Sequence, residues 1–222
     1  MPVCISDYIN ANTIAYMLKA KHHFIIYPLF KVLTKLLIKI NFKKVYIIGD
    51  FIDNGRPVLV LANHISWWDG FWVIYLNLKK IRRKFHFMIL EQQLRKHWYF
   101  QYTGGYSVRK NSRAMIESLD YSNAILANNR NMLFMFPQGE IHSSYDDRFK
   151  FGAGAQRIIS RCDDEVVIVF VSNMYDYFSD SKLNLYTYIK SFQAKQLKGV
   201  DLEVSYNSFY INCLKEQKAK KI

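Results

Sequence analysis

The sequence has no apolar run of eighteen or more residues free of charge, which excludes a simple membrane-spanning helix. Its three cysteines, Cys4, Cys162 and Cys213, are odd in number and widely spaced. They form neither a metal-ligand pattern nor a disulfide framework, so a reducing compartment is expected and no metal site is. The first residues, Met1-Pro2-Val3-Cys4, lack a basic region followed by an apolar core, so no cleaved signal peptide is expected. Internal repeats and low-complexity linkers are lacking too. Negative charge is scarce: 18 acidic residues face 31 basic ones, a formal net charge of +13. A surface so basic suits nucleic acid, anionic lipid head groups or an acidic protein partner, and composition does not choose among them. Most aromatics interleave with aliphatics in expected strands and helices, and no nucleic-acid motif appears, so nucleic acid is not an expected partner.

What is present is apolar: half of the 222 residues are hydrophobic. Within His23–Ile40, Lys31, Lys35 and Lys39 recur every fourth residue, and on a helix they fall within about 80° of one another while leucines, isoleucines, Phe30 and Val32 fill the rest. An interfacial membrane helix fits that pattern, with lysines at the head groups; a core helix with a solvated lysine stripe fits it too. The expected division is residues 1–42 as a helical membrane-associating segment, with a short helix from Asn12, and 43–222 as the main domain.

In the domain, apolar runs alternate with amphipathic ones. Strands are expected at Lys44–Gly49, Val58–Ala62, Phe85–Leu90, Tyr106–Val108, Met132–Phe136, Val166–Val171, Leu183–Ile189 and Leu202–Tyr206. Helices are expected at 70–78, from Glu91, at Ala114–Asn128 and at Lys150–Ile159. The first two strands, joined by the turn Asp53-Asn54-Gly55-Arg56-Pro57, read as a hairpin. Lys79–Lys84 reads as a basic loop that is either solvated or a phosphate or head-group contact, and the basic tail from Lys215 as frayed or touching anionic lipid. The fold class expected is α/β, a mixed central sheet covered by helices, with the N-terminal interfacial helix attached.

The densest chemistry is in Asn63-His64-Ile65-Ser66-Trp67-Trp68-Asp69, directly after the apolar run at Val58–Ala62. On one regular helix His64 and Asp69 would point about 140° apart, but across a strand-to-helix turn they can face each other. An imidazole held by a carboxylate is suited to act as a general base on a hydroxyl. The same residues also fit an ordinary helix cap, Asp69, beside a turn histidine. Arg109, Lys110 and Arg113 follow Gly104-Gly105 and a short strand, where cations near a helix start suit an anion, or simply a basic loop. Pro137-Gln138-Gly139-Glu140 ends another apolar strand, as Pro-x-Gly commonly does.

Asn-His-x4-Asp after an apolar strand resembles the first block of the glycerolipid acyltransferase family, which includes the lysophosphatidate acyltransferases. Later stretches resemble its other blocks in order, over roughly residues 40–175. The stretch from Gly104 is similar to the second block, with Lys110 where the family has an Arg thought to meet the acceptor's phosphate. Phe136-Pro137-Gln138-Gly139-Glu140-Ile141 is similar to Phe-Pro-Glu-Gly-Thr-Arg, with Gln138, Glu140 and Ile141 departing. Val166–Val171 stands where the fourth block would be, without its proline. The resemblance implies an acyltransferase that moves a fatty acyl group from coenzyme A or acyl carrier protein, a co-substrate rather than a cofactor, to a hydroxyl of a lysolipid. His64 would be the base and Asp69 its orienting acid. Arg109, Lys110, Arg113, Pro137, Gln138, Gly139 and Glu140 would bind substrate, with backbone N–H groups near Gly139 stabilising the oxyanion. An apolar slot would hold the acyl chain. Membrane lipid and acyl carrier protein are the partners implied, at the cytoplasmic face of a membrane, peripheral or monotopic. The competing reading is a catalytically silent protein that binds anionic lipid.

Overall fold

The computed structural model describes residues 17–109 and 113–221. Lys110 and the expected helix from Asn12 lie outside the described residues. The chain runs α1 (Ile26–Asn41), β1 (Phe42–Ile48), β2 (Val58–Ala62), α2 (Asp69–Leu76), β3 (Lys84–Leu90), α3 (Glu91–Lys96), β4 (Gly105–Val108), α4 (Arg113–Leu126), β5 (Asn131–Met135), α5 (Ala153–Arg161), β6 (Val167–Asp176), β7 (Leu183–Gln193), α6 (Ala194–Leu197) and α7 (Leu202–Lys218). The seven strands form one mixed sheet in the order β1-β7-β6-β2-β5-β3-β4. β6 and β7 pair antiparallel and every other neighbouring pair is parallel.

β2 lies inside the sheet, and all five of its side chains are buried. That is why it reads as a continuous apolar run rather than an alternating one. Alternate residues still separate by face. Val58, Val60 and Ala62 pack with Met132, Phe134 and residues of α2. Leu59 and Leu61 pack with α4, α5 and α7.

Four expectations are corrected. β1 and β2 are not a hairpin, because β7 and β6 lie between them. Leu202–Tyr206 is helical, not a strand. Leu202, Val204 and Tyr206 alternate like a strand, but the buried set Leu202, Tyr206, Tyr210, Cys213 and Gln217 follows helical spacing. The same helix carries the tail from Lys215 to Lys218, and Gln217 there accepts a hydrogen bond from the Tyr188 hydroxyl at 2.8 Å. The basic stretch Lys79–Lys84 is no loop either. Residues Asn77–Ile81 continue α2 as a π-helical turn, closed by left-handed Arg82, and Lys84 begins β3. It sits at the amino end of β3, the sheet edge opposite His64.

α1 packs on α2 and β1 through few residues, with only Thr34 and Ile38 fully buried. Val32, Leu36, Leu29, Ile40 and Leu33 are 44–63% exposed, and at 100° per residue they share an arc of about 100° facing away from the sheet. No helix of the described residues is long and apolar enough to cross a membrane.

Candidate active site

Four parallel strands, β2, β5, β3 and β4, end side by side, so the residues that follow them share one edge. Extending the observed registers, His64 falls beside Gln138, Gln138 beside Glu91, and Glu91 beside Arg109. Ligand sites in open α/β sheets form beyond such carboxyl ends.

The chain leaves β2 under control of Asn63, which is fully buried. Its side-chain amide donates to Asn173 O at 2.9 Å, and its Oδ1 accepts from Asn173 N at 2.8 Å. This paired contact replaces the ladder where the strand stops. It fixes the direction in which His64 emerges. The His64 backbone is held twice more: its N–H donates to Gln138 Oε1 at 2.7 Å, and its carbonyl accepts from His142 N at 2.8 Å.

Asp69 opens α2 with its carboxylate buried. Oδ2 accepts from His64 Nδ1 at 2.8 Å, from Ile65 N at 2.6 Å and from Ser66 N at 2.8 Å. The carboxylate therefore points back into the turn and does not cap α2, which removes the helix-cap reading. Burial pushes the Asp69 carboxyl above its ordinary range, and the hydrogen bonds from His64, Ser66 and Ile65 oppose that push. With Nδ1–H donated to Asp69, Nε2 of His64 is the basic nitrogen. The imidazole side chain is 21% exposed. Phe136 lies flat against it, ring centroids 3.7 Å apart and planes within 3°.

The turn after β5 is tight. Gly139 adopts φ of +74°, in the left-handed region that favours glycine, and its N–H donates to Phe136 O at 3.1 Å. That N–H belongs to the turn, so of the N–H groups expected near Gly139 this one does not face an oxyanion. Pro137 is buried, and its carbonyl accepts from Gly152 N at 2.9 Å. Glu140 is exposed, 3.6 Å from His142 Nε2, and the other ring nitrogen of His142 is 3.2 Å from Asp146. Ile141, at the position of the expected arginine, is 57% exposed.

Arg109 follows β4 and grips Glu91 through both ends of its guanidinium: Nη2 is 2.7 Å from Oε1, and Nε bonds Oε2. Arg95 shares Glu91 at 2.8 Å. The Arg109 hydrogen bond, with that of Arg95, holds the Glu91 carboxyl below its ordinary range despite burial. Arg113 begins α4. The structure thus brings His64, Asp69, Gln138 and Phe136 into direct contact. With strands spaced about 4.8 Å apart, Arg109 lies three strands away, roughly 14 Å along the edge. Two cavities of about 380 and 360 Å³ flank Lys190 and Phe209 at the opposite sheet edge. They do not touch His64 or Asp69, and neither supplies the acyl slot expected there.

Asn63, His142 and Phe136 were not among the expected site residues. Phe136 had a signal. It continues the parity of Met132 and Phe134, as His64 continues that of Val60 and Ala62, so both rings lie on one face of neighbouring strands. Asn63 stands in the Asn-His-x4-Asp motif, but its contact, like that of His142, is with residues far along the chain and had no local signal.

Residues 44–172, more than half of the chain, match the family model described as Acyltransferase. That span contains His64, Asp69 and the turn after β5. No curated protein matches the chain.

Proposed function

The chain belongs to the acyltransferase family, and on that premise we propose that it moves a fatty acyl group from coenzyme A or acyl carrier protein to a hydroxyl of a lysolipid acceptor. The observation that carries the reading is the 2.8 Å bond between His64 Nδ1 and the buried Asp69 carboxylate, at the carboxyl edge of the sheet.

In this mechanism the acceptor hydroxyl meets His64 Nε2, which removes its proton as the oxygen attacks the thioester carbon. A tetrahedral oxyanion forms and then collapses, breaking the carbon–sulfur bond. The proton held on His64 passes to the departing thiolate. Asp69 stabilises the imidazolium in between and keeps the ring in one tautomer. No covalent enzyme intermediate is required. Cys162 and Cys213 are buried, and burial raises their thiols to about 11 and about 12, which leaves both poor nucleophiles. Arg109, Lys110, Arg113 and the turn Pro137–Glu140 remain the proposed acceptor contacts. Glu91 neutralises part of the cationic end of that row, and Ile141 stands where a phosphate-binding arginine would be. Both weigh against a phosphomonoester acceptor such as lysophosphatidate.

The exposed arc of α1, with its lysine stripe alongside, supports peripheral association of the 1–42 segment with an anionic membrane face, the cytoplasmic one in a cell.

Removing the base tests the mechanism. His64→Ala is expected to lower acyl transfer by on the order of 10²-fold or more, read as labelled acyl thioester converted to lipid ester, with the thermal midpoint preserved. Turnover equal to wild type would refute it. Lipid mass spectrometry of cells with and without the chain would identify the acceptor as the lipid class that loses one acyl group.

A further inference from the structure

The loop that carries His64 also carries an exposed tryptophan. Trp67 is 68% exposed, three residues after the imidazole, while Trp68 and Phe71 beside it pack inward. A single exposed indole needs no explanation by itself, but one continuous with a wider apolar surface marks an interaction site. Its ring rests on Phe71 at 5.0 Å, Phe71 contacts Phe30 of α1 at 5.8 Å, and Phe30 contacts Phe100 at 6.1 Å. These aromatics join the catalytic loop to α1 without a polar break.

On the α1 wheel, taking Thr34 as the inward direction at 100° per residue, Phe30 and Leu37 lie on one flank and Lys31, Lys35 and Lys39 on the other, with the exposed apolar arc between the flanks on the outer side. The apolar surface therefore runs from that arc, over the flank without lysines, to Trp67. We infer that Trp67 enters the interface of an anionic bilayer together with the outer face of α1, so that the loop holding His64 is itself part of the membrane-binding surface. This rests on the peripheral membrane reading above and extends it to the active-site loop.

Charge decides the occupant. A second copy of this chain docked on the same face would bring two lysine stripes together on proteins of net charge +13, whereas anionic lipid offers opposite charge beside acyl chains. Tryptophan suits the interface because its ring is apolar and its N–H is polar. With the loop seated there, a lysolipid could present its hydroxyl to His64 without leaving the membrane.

The chain has four tryptophans, and Trp72 is buried, so fluorescence can isolate Trp67. Vesicles of phosphatidylglycerol and phosphatidylcholine, the latter brominated on its acyl chains, are mixed with wild type, Trp67→Phe and Trp98→Phe, and quenching is normalised to the fraction that cosediments. Wild type and Trp98→Phe are expected to be quenched on binding, and Trp67→Phe to lose about half of that quenching or more. Equal normalised quenching with and without Trp67 overturns the inference. So does a dimer in solution that shields Trp67 from acrylamide. Acyl transfer to a soluble acceptor without vesicle binding would sink this inference and leave acyl transfer standing. Quenching at Trp67 without any acyl transfer would do the reverse.

Discussion

In the proposed mechanism the general base needs one free nitrogen and one fixed ring plane, and two different residues would supply these to His64. Asp69 selects the nitrogen by accepting the hydrogen bond from Nδ1–H. Phe136 holds the plane, stacked at 3.7 Å. Without that ring the imidazole could rotate about its bond to Cβ while keeping its chain position, and the loss would fall on the chemical step more than on binding. Phe136→Leu is therefore expected to lower kcat by about tenfold with KM little changed, as misplacement of a reacting group does, and Phe136→Tyr to restore most of the rate. Steady-state kinetics on both variants checks this; a rise in KM at constant kcat would assign Phe136 to substrate binding instead. The His64–Asp69 pair was legible because a strand-to-helix turn is one of few ways to bring residues five apart face to face. What Asn63 does was illegible, although the residue opens the motif. Its partner Asn173 is 110 positions away, and no local pattern announces such a contact.

Among the elements, the strands were the more readable class because burial on both faces leaves continuous apolar runs. Their neighbours were not readable. β1 and β2 do run in opposite directions, as the short Asp53–Pro57 turn suggests, but two strands from the far end of the sequence fill the space between them. α7 was misread because its amino-terminal turn mimics strand alternation. The chain entering α1 shows another contact that sequence does not reveal. His22 Nε2 bonds Phe85 O at 2.8 Å, its ring meets that of His86 at 4.7 Å, and left-handed Gly104 leaves no room there for a Cβ, which would stand 2.8 Å from His22 Nε2. Burial drives both imidazoles down, from 6.5 to about 4. A depressed folded value means that below about pH 6.5 the unfolded chain binds protons that the native chain refuses. The stability from these two neutral rings is thus complete above pH 6.5 and is lost as pH falls toward 4. Thermal midpoints are expected to drop across that window, and His86→Leu to flatten the drop. A profile as steep in the variant as in wild type would show that these rings do not set it.

Considered as a whole, the molecule combines a large positive charge with one exposed apolar helix face, and the two should contribute in separable ways to the membrane binding proposed above. Charge attraction to an anionic surface is screened over a length of about 10 Å in 0.1 M salt and about 3 Å in 1 M salt. Apolar burial of Leu29, Val32, Leu33, Leu36 and Ile40 has no such dependence and is not weakened by salt. Cosedimentation with phosphatidylglycerol vesicles is therefore expected to fall several-fold as salt rises across that range, without vanishing. Leu33→Ser with Leu36→Ser should weaken binding at every salt concentration and leave the slope unchanged. Replacing Lys35 and Lys39 by Gln should flatten the slope and leave the high-salt residue in place. Both lysines are exposed and lie on the flank of α1 away from Trp67, so neither change disturbs the loop of His64. Binding that ignores salt would take the +13 charge out of the account, and binding abolished by salt would take out the helix face. If each pair of changes moves only its own component, the association is peripheral and built from both.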